Sequence, residues 1–197
     1  ADPFVNSAMT GVNGGLVVVA ADDPSMHSSQ NEQDSRFYGK FAMMPIFEPS
    51  NQQEAYDMTR AAFELSEAVK LPVLMRVTTR MAHSRAVVNV TEEPRKQNEI
   101  NRPEDVRTWI LLPAFAKKRY VQLLAQQDDL MKASLESKYN CYRKGTNPEL
   151  GVICTGIAYN YYMENVANAE ERSVLKVTQY PLPVELIEKM VADGAKE

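Results

Sequence analysis

The chain has 197 residues, of which 44% are hydrophobic and 24% charged, with a formal net charge of −4. This is the balance of an ordinary globular protein, and its acidity excludes a nucleic-acid binder that works through a basic face. The longest apolar run, Leu16 to Ala21, is strand-sized, well below the roughly eighteen residues a membrane span requires; neither nucleic acid nor membrane is an expected partner. The length suits one large domain or two small ones. The start at Ala1, without methionine or a secretory signal, reads as the interior of a longer protein. Cys141 and Cys154, the two cysteines, are too few for a disulfide framework or an iron–sulfur cluster, which takes about four. Cys154 lies in an apolar run, so it is expected to be a buried, inert thiol in a reducing cytoplasm.

In chain order, Gly14 to Ala21 is a β-branched run of the kind that forms a buried parallel strand. A polar stretch follows, and Arg36 to Ala42 reads as the end of a helix limited by Pro45. Met44 to Glu48 is a second strand. After Pro49, Ser50 is expected as N-cap with Gln53 as its capping-box partner. Ala55, Met58, Thr59, Ala62, Phe63, Ser66 and Val69 then recur with the period of an amphipathic helix. Pro72 ends that helix, and Val73 to Thr79 is a third strand. The β-α-β-α-β rhythm implies right-handed crossovers and a parallel sheet covered by helices.

Residues 89–104 are polar and proline-containing, which predicts a linker. Pro113 suits the first turn of a long helix running to about Ser137. A second α/β unit follows: a strand at Leu150 to Thr155, a turn at Gly156, a helix from Ile157 to Ala169, and a strand from Ser173 to Val177. Pro181 and Pro183 shape a loop before a last helix, Val184 to Ala192. Gly156 suits either a phosphate-binding helix start or a close helix–strand turn.

The chain has no Walker loop and no HExxH, CxxC, GxSxG or GxGxxG motif. The densest functional candidate is the polar string Asp22 to Arg36. It follows a strand directly, and ligands of open parallel sheets bind beyond the carboxyl ends of strands. Its donors and acceptors suit a carboxylate or an aminopyrimidine ring; the alternative is a solvated loop that caps the next helix. The second candidate is Arg76 to Arg85, also at a strand's carboxyl end. Its three arginines suit an anionic ligand, surface salt bridges or a subunit contact.

The strings Thr10-Gly11-Val12-Asn13-Gly14-Gly15 and Ala21-Asp22-Asp23-Pro24-Ser25-Met26-His27-Ser28-Ser29-Gln30-Asn31-Glu32-Gln33-Asp34-Ser35-Arg36 resemble the alpha-subunit family of indolepyruvate ferredoxin oxidoreductases. So do Gln53-Glu54-Ala55-Tyr56-Asp57-Met58, Thr78-Thr79-Arg80 with His83-Ser84-Arg85, Leu111-Leu112-Pro113-Ala114, Gly156-Ile157-Ala158-Tyr159-Asn160-Tyr161 and Tyr180-Pro181-Leu182-Pro183. The likeness spans nearly the whole chain.

The resemblance implies an α/β fold whose parallel sheet is flanked by helices. Residues 1–88 would be the later part of a pyrimidine-binding thiamine-diphosphate domain, and 105–197 a transketolase C-terminal-like unit. It implies oxidative decarboxylation of aryl 2-oxoacids, with coenzyme A as acyl acceptor and ferredoxin as electron acceptor. Thiamine diphosphate, magnesium and iron–sulfur clusters would belong to the longer protein, and no metal site is expected here. The glutamate that activates the cofactor would lie upstream of Ala1. The diphosphate-binding and cysteine-rich segments would lie beyond Glu197, so Glu32 is not taken as a catalytic base. The implied partners are a beta subunit and further copies of the protein. Ser25, His27, Ser28, Gln30, Asn31 and Glu32, with Arg80, His83 and Arg85, are the residues expected to border the cofactor or substrate cleft. Two other readings remain: a non-catalytic assembly module on this scaffold, and a thiamine-dependent decarboxylase that does not use ferredoxin.

Overall fold

A computed structural model describes residues 2–94, 97–99 and 101–196. The elements in order are α1 (Asp2–Thr10), β1 (Val17–Asp22), α2 (Ser35–Phe41), β2 (Ile46–Phe47), α3 (Gln52–Val69), β3 (Val73–Thr78), α4 (Thr79–His83) and a 3-10 turn, Val106–Trp109. They continue as α5 (Pro113–Ala125), α6 (Gln127–Leu135), β4 (Cys141–Arg143), β5 (Asn147–Thr155), α7 (Ala158–Asn165), a second 3-10 turn, β6 (Arg172–Val177), β7 (Gln179–Tyr180) and α8 (Val184–Ala192). The expected α/β class with a parallel sheet between helices is what the chain forms. None of the helices is long and apolar enough to cross a membrane among the described residues.

The first sheet has the order β1-β3-β2-β7. β3 is parallel to both β1 and β2, placing Val18 opposite Leu74 and Ile46 opposite Leu74 from the other side. Val73, Leu74 and Met75 are therefore buried, because a central parallel strand is covered on both faces. β1 is an edge strand instead, and its Val19 remains 62% exposed. The helix between β2 and β3 buries Met58, Ala62 and Ser66 against this sheet, in register with the predicted stripe. Thr59 departs from it: it is exposed, and its hydroxyl donates back to the carbonyl of Ala55 at 2.6 Å. The N-cap is Asn51, one residue later than expected. Its side chain accepts from the Glu54 amide at 2.9 Å, while the Glu54 carboxylate accepts from the Ser50 amide and hydroxyl.

The expected linker carries no helix or strand in its described residues; Arg95, Lys96 and Ile100 lie outside them, as do Ala1 and Glu197 at the ends of the two expected units. Its early part runs along α3. The Asn89 amide donates to Gln53 Oε1 at 2.7 Å, the Thr91 amide to the Tyr56 hydroxyl at 3.2 Å, and Arg60 to the Glu93 carbonyl at 3.2 Å.

The single long helix expected from Pro113 is two helices, because the chain breaks step at Gln126, the C-cap of α5. The side chain of Gln126 donates to the Val69 carbonyl at 3.0 Å, so a tertiary contact holds the break. The second sheet has the order β4-β6-β5, with β5 parallel and β4 antiparallel to β6. Leu175, Val177 and Met190 form its core. The helix after Gly156 stops at Asn165, four residues short of the expected Ala169.

The last strand, β7, leaves the second sheet and joins the first, antiparallel to β2, with Tyr180 opposite Ile46. Asn140 secures this crossing. Its side-chain oxygen accepts from the amides of Thr178 (2.8 Å) and Gln179 (2.9 Å), and its side-chain amide donates to the carbonyls of Ser134 and Gln179, both at 2.9 Å. Every polar valence of a buried carboxamide is thus spent on backbone, as burial requires. Replacing Asn140 with Leu strands two amides and one or two carbonyls. We expect the substitution to lower the unfolding free energy by about 2–4 kcal/mol, read from urea titration.

Candidate active site at the strand carboxyl ends

The charged residues of the first sheet converge where its parallel strands end. Asp22 closes β1, Glu48 follows β2, and Arg76 lies within β3; all three are buried. The Arg76 guanidinium donates to Asp22 through Nε and to Glu48 through Nη1. Asp22 also accepts from the amide of Ser35 at 2.8 Å and from its hydroxyl at 3.0 Å, which fixes the start of α2. Arg36 forks onto Asp34 (2.5 Å), approaches Glu48 (3.5 Å) and donates to Thr155 Oγ1 (2.9 Å) in the second unit. The Tyr180 hydroxyl donates to Glu48 Oε2, the oxygen that Arg36 approaches, at 2.9 Å, while Oε1 is held by Arg76. Burial, reinforced by the Glu48 charge, pushes the Tyr180 phenol well above its ordinary value, so it acts as a donor.

Gly156 permits this closeness. It has φ +49, and a Cβ there would lie 2.5 Å from Glu48 Cγ. Of its two expected roles, the structure gives it the close turn; a carboxylate already sits against it, which is incompatible with a bound phosphate.

Aspartates pin the polar loop at both ends. Asp23 accepts from the amides of Ser28 (2.8 Å) and Ser29 (3.0 Å) and from the hydroxyl of Thr79 (2.6 Å), and these bonds hold its carboxyl far below the usual range. Asp34 caps α2 through the Arg36 amide at 3.1 Å, and its bond to the Arg36 side chain lowers its carboxyl as well. Between the pins the backbone turns through positive φ at Ser25 (67°) and Met26 (50°).

The predicted site residues sit on this stage as follows. Ser25, His27, Ser28, Gln30, Asn31 and Glu32 are all exposed. The Ser25 amide donates to Glu32 at 3.1 Å, His27 Nδ1 lies 3.2 Å from Asp23, and Asn31 accepts from Gln33 at 3.0 Å. Arg80, His83 and Arg85 are exposed on and just after α4. Thr79, the first residue of that helix, ties it to the loop through Asp23. Arg76 is a correction. The sequence groups it with Arg80 and Arg85 for an anionic ligand, surface salt bridges or a subunit contact, but its guanidinium is buried and committed to two carboxylates.

Sequence reasoning missed the cluster of Asp22, Glu48, Arg76, Arg36 and Tyr180. The available signal was an arginine inside the apolar run Val73 to Val77, since a charge there requires partners. Cys154 matches expectation: it is buried, and desolvation raises its thiol. Thr78 Oγ1, at the end of β3, is buried without a hydrogen-bond partner, the one such side-chain atom among the described residues.

Residues 17–134 match the family model of the pyruvate flavodoxin/ferredoxin oxidoreductase thiamine-diphosphate-binding domain. The chain belongs to that family. Among curated proteins it is 41% identical over 194 residues to indolepyruvate oxidoreductase subunit IorA of Methanothermobacter thermautotrophicus, a match covering 97% of this chain. Over the whole of this chain it is 40% identical to the same-named subunit of Archaeoglobus fulgidus, and it is 38% identical to that of Thermococcus kodakarensis. The chain spans about a third of these relatives, 31% of the first and 32% of the second. The fold is similar to that of a 2-oxoglutarate:ferredoxin oxidoreductase from Magnetococcus marinus, with a TM-score of 0.61 at 13% identity, covering 99% of this chain and 42% of the other.

The strand ends fit one end of the family's cofactor. The partnerless, buried Thr78 hydroxyl suits the edge of an aminopyrimidine ring. The diphosphate end is a poor fit, since no acidic, cysteine or histidine group able to hold its metal occurs among the described residues.

Two outcomes follow from this geometry. Arg76→Met leaves two buried carboxylates unpaired and is expected to destabilise the chain by about 3–5 kcal/mol in chemical denaturation. Asp34 has a lowered folded-state pKa, so its contribution is complete above its unfolded value of about 3.9. It is lost as pH falls through the lowered folded value. Asp34→Asn should flatten that acid limb of the stability profile, as followed by circular dichroism.

Proposed function

We propose that this chain is part of the alpha subunit of an indolepyruvate ferredoxin oxidoreductase. The whole enzyme would oxidatively decarboxylate aryl 2-oxoacids to acyl-coenzyme A and pass the electrons to ferredoxin. The observation that carries this reading is 38–41% identity, across nearly all of this chain, to subunits named for indolepyruvate oxidation. Residues 1–88 would form the later pyrimidine-binding domain, 89–104 the linker, and 105–197 a transketolase C-terminal-like domain. The beta subunit, the iron–sulfur clusters and the magnesium–diphosphate site would come from outside this chain, and the assembly would be an oligomer in the cytoplasm. The open edge of β1 and the exposed Phe37 and Phe41 of α2, 71% and 70% accessible, support burial against such neighbours.

When bound, thiamine diphosphate supplies the electron sink for decarboxylation. This chain's share is positioning. The Thr78 hydroxyl offers the pyrimidine edge a hydrogen bond. The Ser25 to Glu32 loop, with Ser28, Gln30 and Asn31, borders the cleft and excludes water. Arg80, His83 and Arg85 supply positive charge for an incoming carboxylate or for the facing subunit.

The test is an anaerobic assay of the full-length subunit with its partner, following ferredoxin-surrogate reduction that depends on indolepyruvate and coenzyme A. Turnover requiring thiamine diphosphate is the expected result. Its absence from a fully loaded complex would favour a non-catalytic module, and decarboxylation without ferredoxin reduction a simpler decarboxylase. In the active complex, Thr78→Val should weaken thiamine diphosphate binding about three- to tenfold, the worth of one hydrogen bond. Thermal stability should hold, because the hydroxyl has no protein partner to lose.

A further inference from the structure

One side of α5 packs on α1, and the other faces outward. Leu123 of α5 and Leu130 of α6 are buried in one core cluster, and residues two turns apart lie on the same side of a helix. Gln126, between the two helices, stays in the right-handed helical region (φ −76°, ψ −11°), so the period carries through the break. On the outward side Lys117, Val121, Leu124 and Asp128 follow one another at helical spacing, all exposed, with Tyr120 and Ala125 beside them.

Val121 is 61% accessible, Leu124 47% and Tyr120 44%, so an apolar strip lies open on a helix whose core face is already used. A lysine pair, Lys117 and Lys118, stands before the strip, and an aspartate pair, Asp128 and Asp129, stands after it. All four are exposed, and none has an ionic partner among the described residues.

This order of charged and apolar groups is complementary to itself. A two-fold axis between Val121 and Leu124 lays a second α5 antiparallel on the first and sets each residue against the one equally far beyond the axis. Val121 then faces Leu124 of the second copy, Tyr120 faces Ala125, and Lys117 faces Asp128. A large ring meets a small side chain, and a cation meets an anion at both ends. Parallel stacking would set lysine against lysine and aspartate against aspartate, so the charges select the antiparallel pairing. A uniformly acidic or basic partner helix would be repelled at one end.

We propose that the outward face of α5 is a two-fold contact between copies of this chain, with Val121 and Leu124 at its centre and Lys117 against Asp128 of the second copy at each end. Of the functional reading above it uses only the expectation of an oligomer, and the reaction does not enter it.

The test is sedimentation velocity of the full-length subunit over a dilution series. A single helix-pair contact belongs to the small, reversible class of interfaces, so the wild type should pair and should dissociate on dilution. Lys117→Asp and Asp128→Lys each set like charges together at both ends and should raise the dissociation constant about tenfold. The double variant, and an equimolar mixture of the two single variants, restore opposite charges and should associate as the wild type does. Leu124→Asp, which places a charge at the centre of each half, should abolish the contact. The charge exchange keeps the test decisive even where Leu124→Asp perturbs folding, because rescue by mixing has no counterpart in a loss of stability. The proposal is overturned by a wild type that stays monomeric, in which case another polypeptide covers the face. It is equally overturned by single variants that associate as tightly as the wild type, or by a mixture that associates no better than its components. A complex that pairs through α5 but turns over no 2-oxoacid would leave this contact standing and the proposed reaction in error; turnover without the pairing would do the reverse.

Discussion

The Arg76 guanidinium, buried between Asp22 and Glu48, is the constraint on which the rest of the arrangement depends. A charge in the central strand of a parallel sheet cannot reach water, so its neighbours must each bring a carboxylate to the same level. That requirement sets where β1 and β2 end relative to β3. Glu48 carries it further, through Arg36 and the Tyr180 hydroxyl, to Thr155 and β7 of the second unit. Buried ion pairs rarely add net stability over a well-packed apolar core, but a half-broken one is expensive. Breaking the cluster in any other packing of the two sheets would therefore be costly. The same holds for the uncharged bonds of Asn140 on the far side of the crossing.

The same chemistry builds the polar loop. Asp22 and Asp34 hold its far end at α2, and Asp23 holds its near end through backbone amides and Thr79. The stretch between is left exposed, its side chains held only by local bonds such as those of Glu32, His27 and Asn31. A loop bonded at both ends and solvated in the middle loses little further entropy on engaging a ligand. A rigid frame that presents adaptable polar groups is the usual division of labour at the carboxyl edge of an open sheet.

Local patterns in the sequence were reliable wherever local physics decides. The Met58, Ala62, Ser66 stripe came from helical period, and the three parallel strands of the first sheet from short apolar runs bounded by Pro or Asp. Failures occurred where distant groups intervene. Thr59 satisfies its hydroxyl on its own helix and so leaves the buried face. Gln126 ends α5 because the carbonyl of Val69 accepts its side chain. Arg76 looked like part of an exposed basic set because three arginines stand close in sequence. A central strand covered on both faces buries the first, while α4 and the segment after it leave Arg80 and Arg85 outside.

By itself, the sequence determined the α/β class, the order of β1, α2, β2, α3 and β3 and of β5, α7, β6 and α8, the scarcity of cysteines and histidines, and the position of the polar loop after β1. These follow from composition, from periods of 2 and 3.6 residues, and from breakers acting within a few residues. Only the tertiary structure decided that β7 crosses into the first sheet, that Asp22, Glu48 and Arg76 meet, and that Thr78 lacks a partner. Each depends on groups tens of residues apart arriving at one place. Hydrogen bonding and desolvation, not local propensity, set the free energy of that meeting.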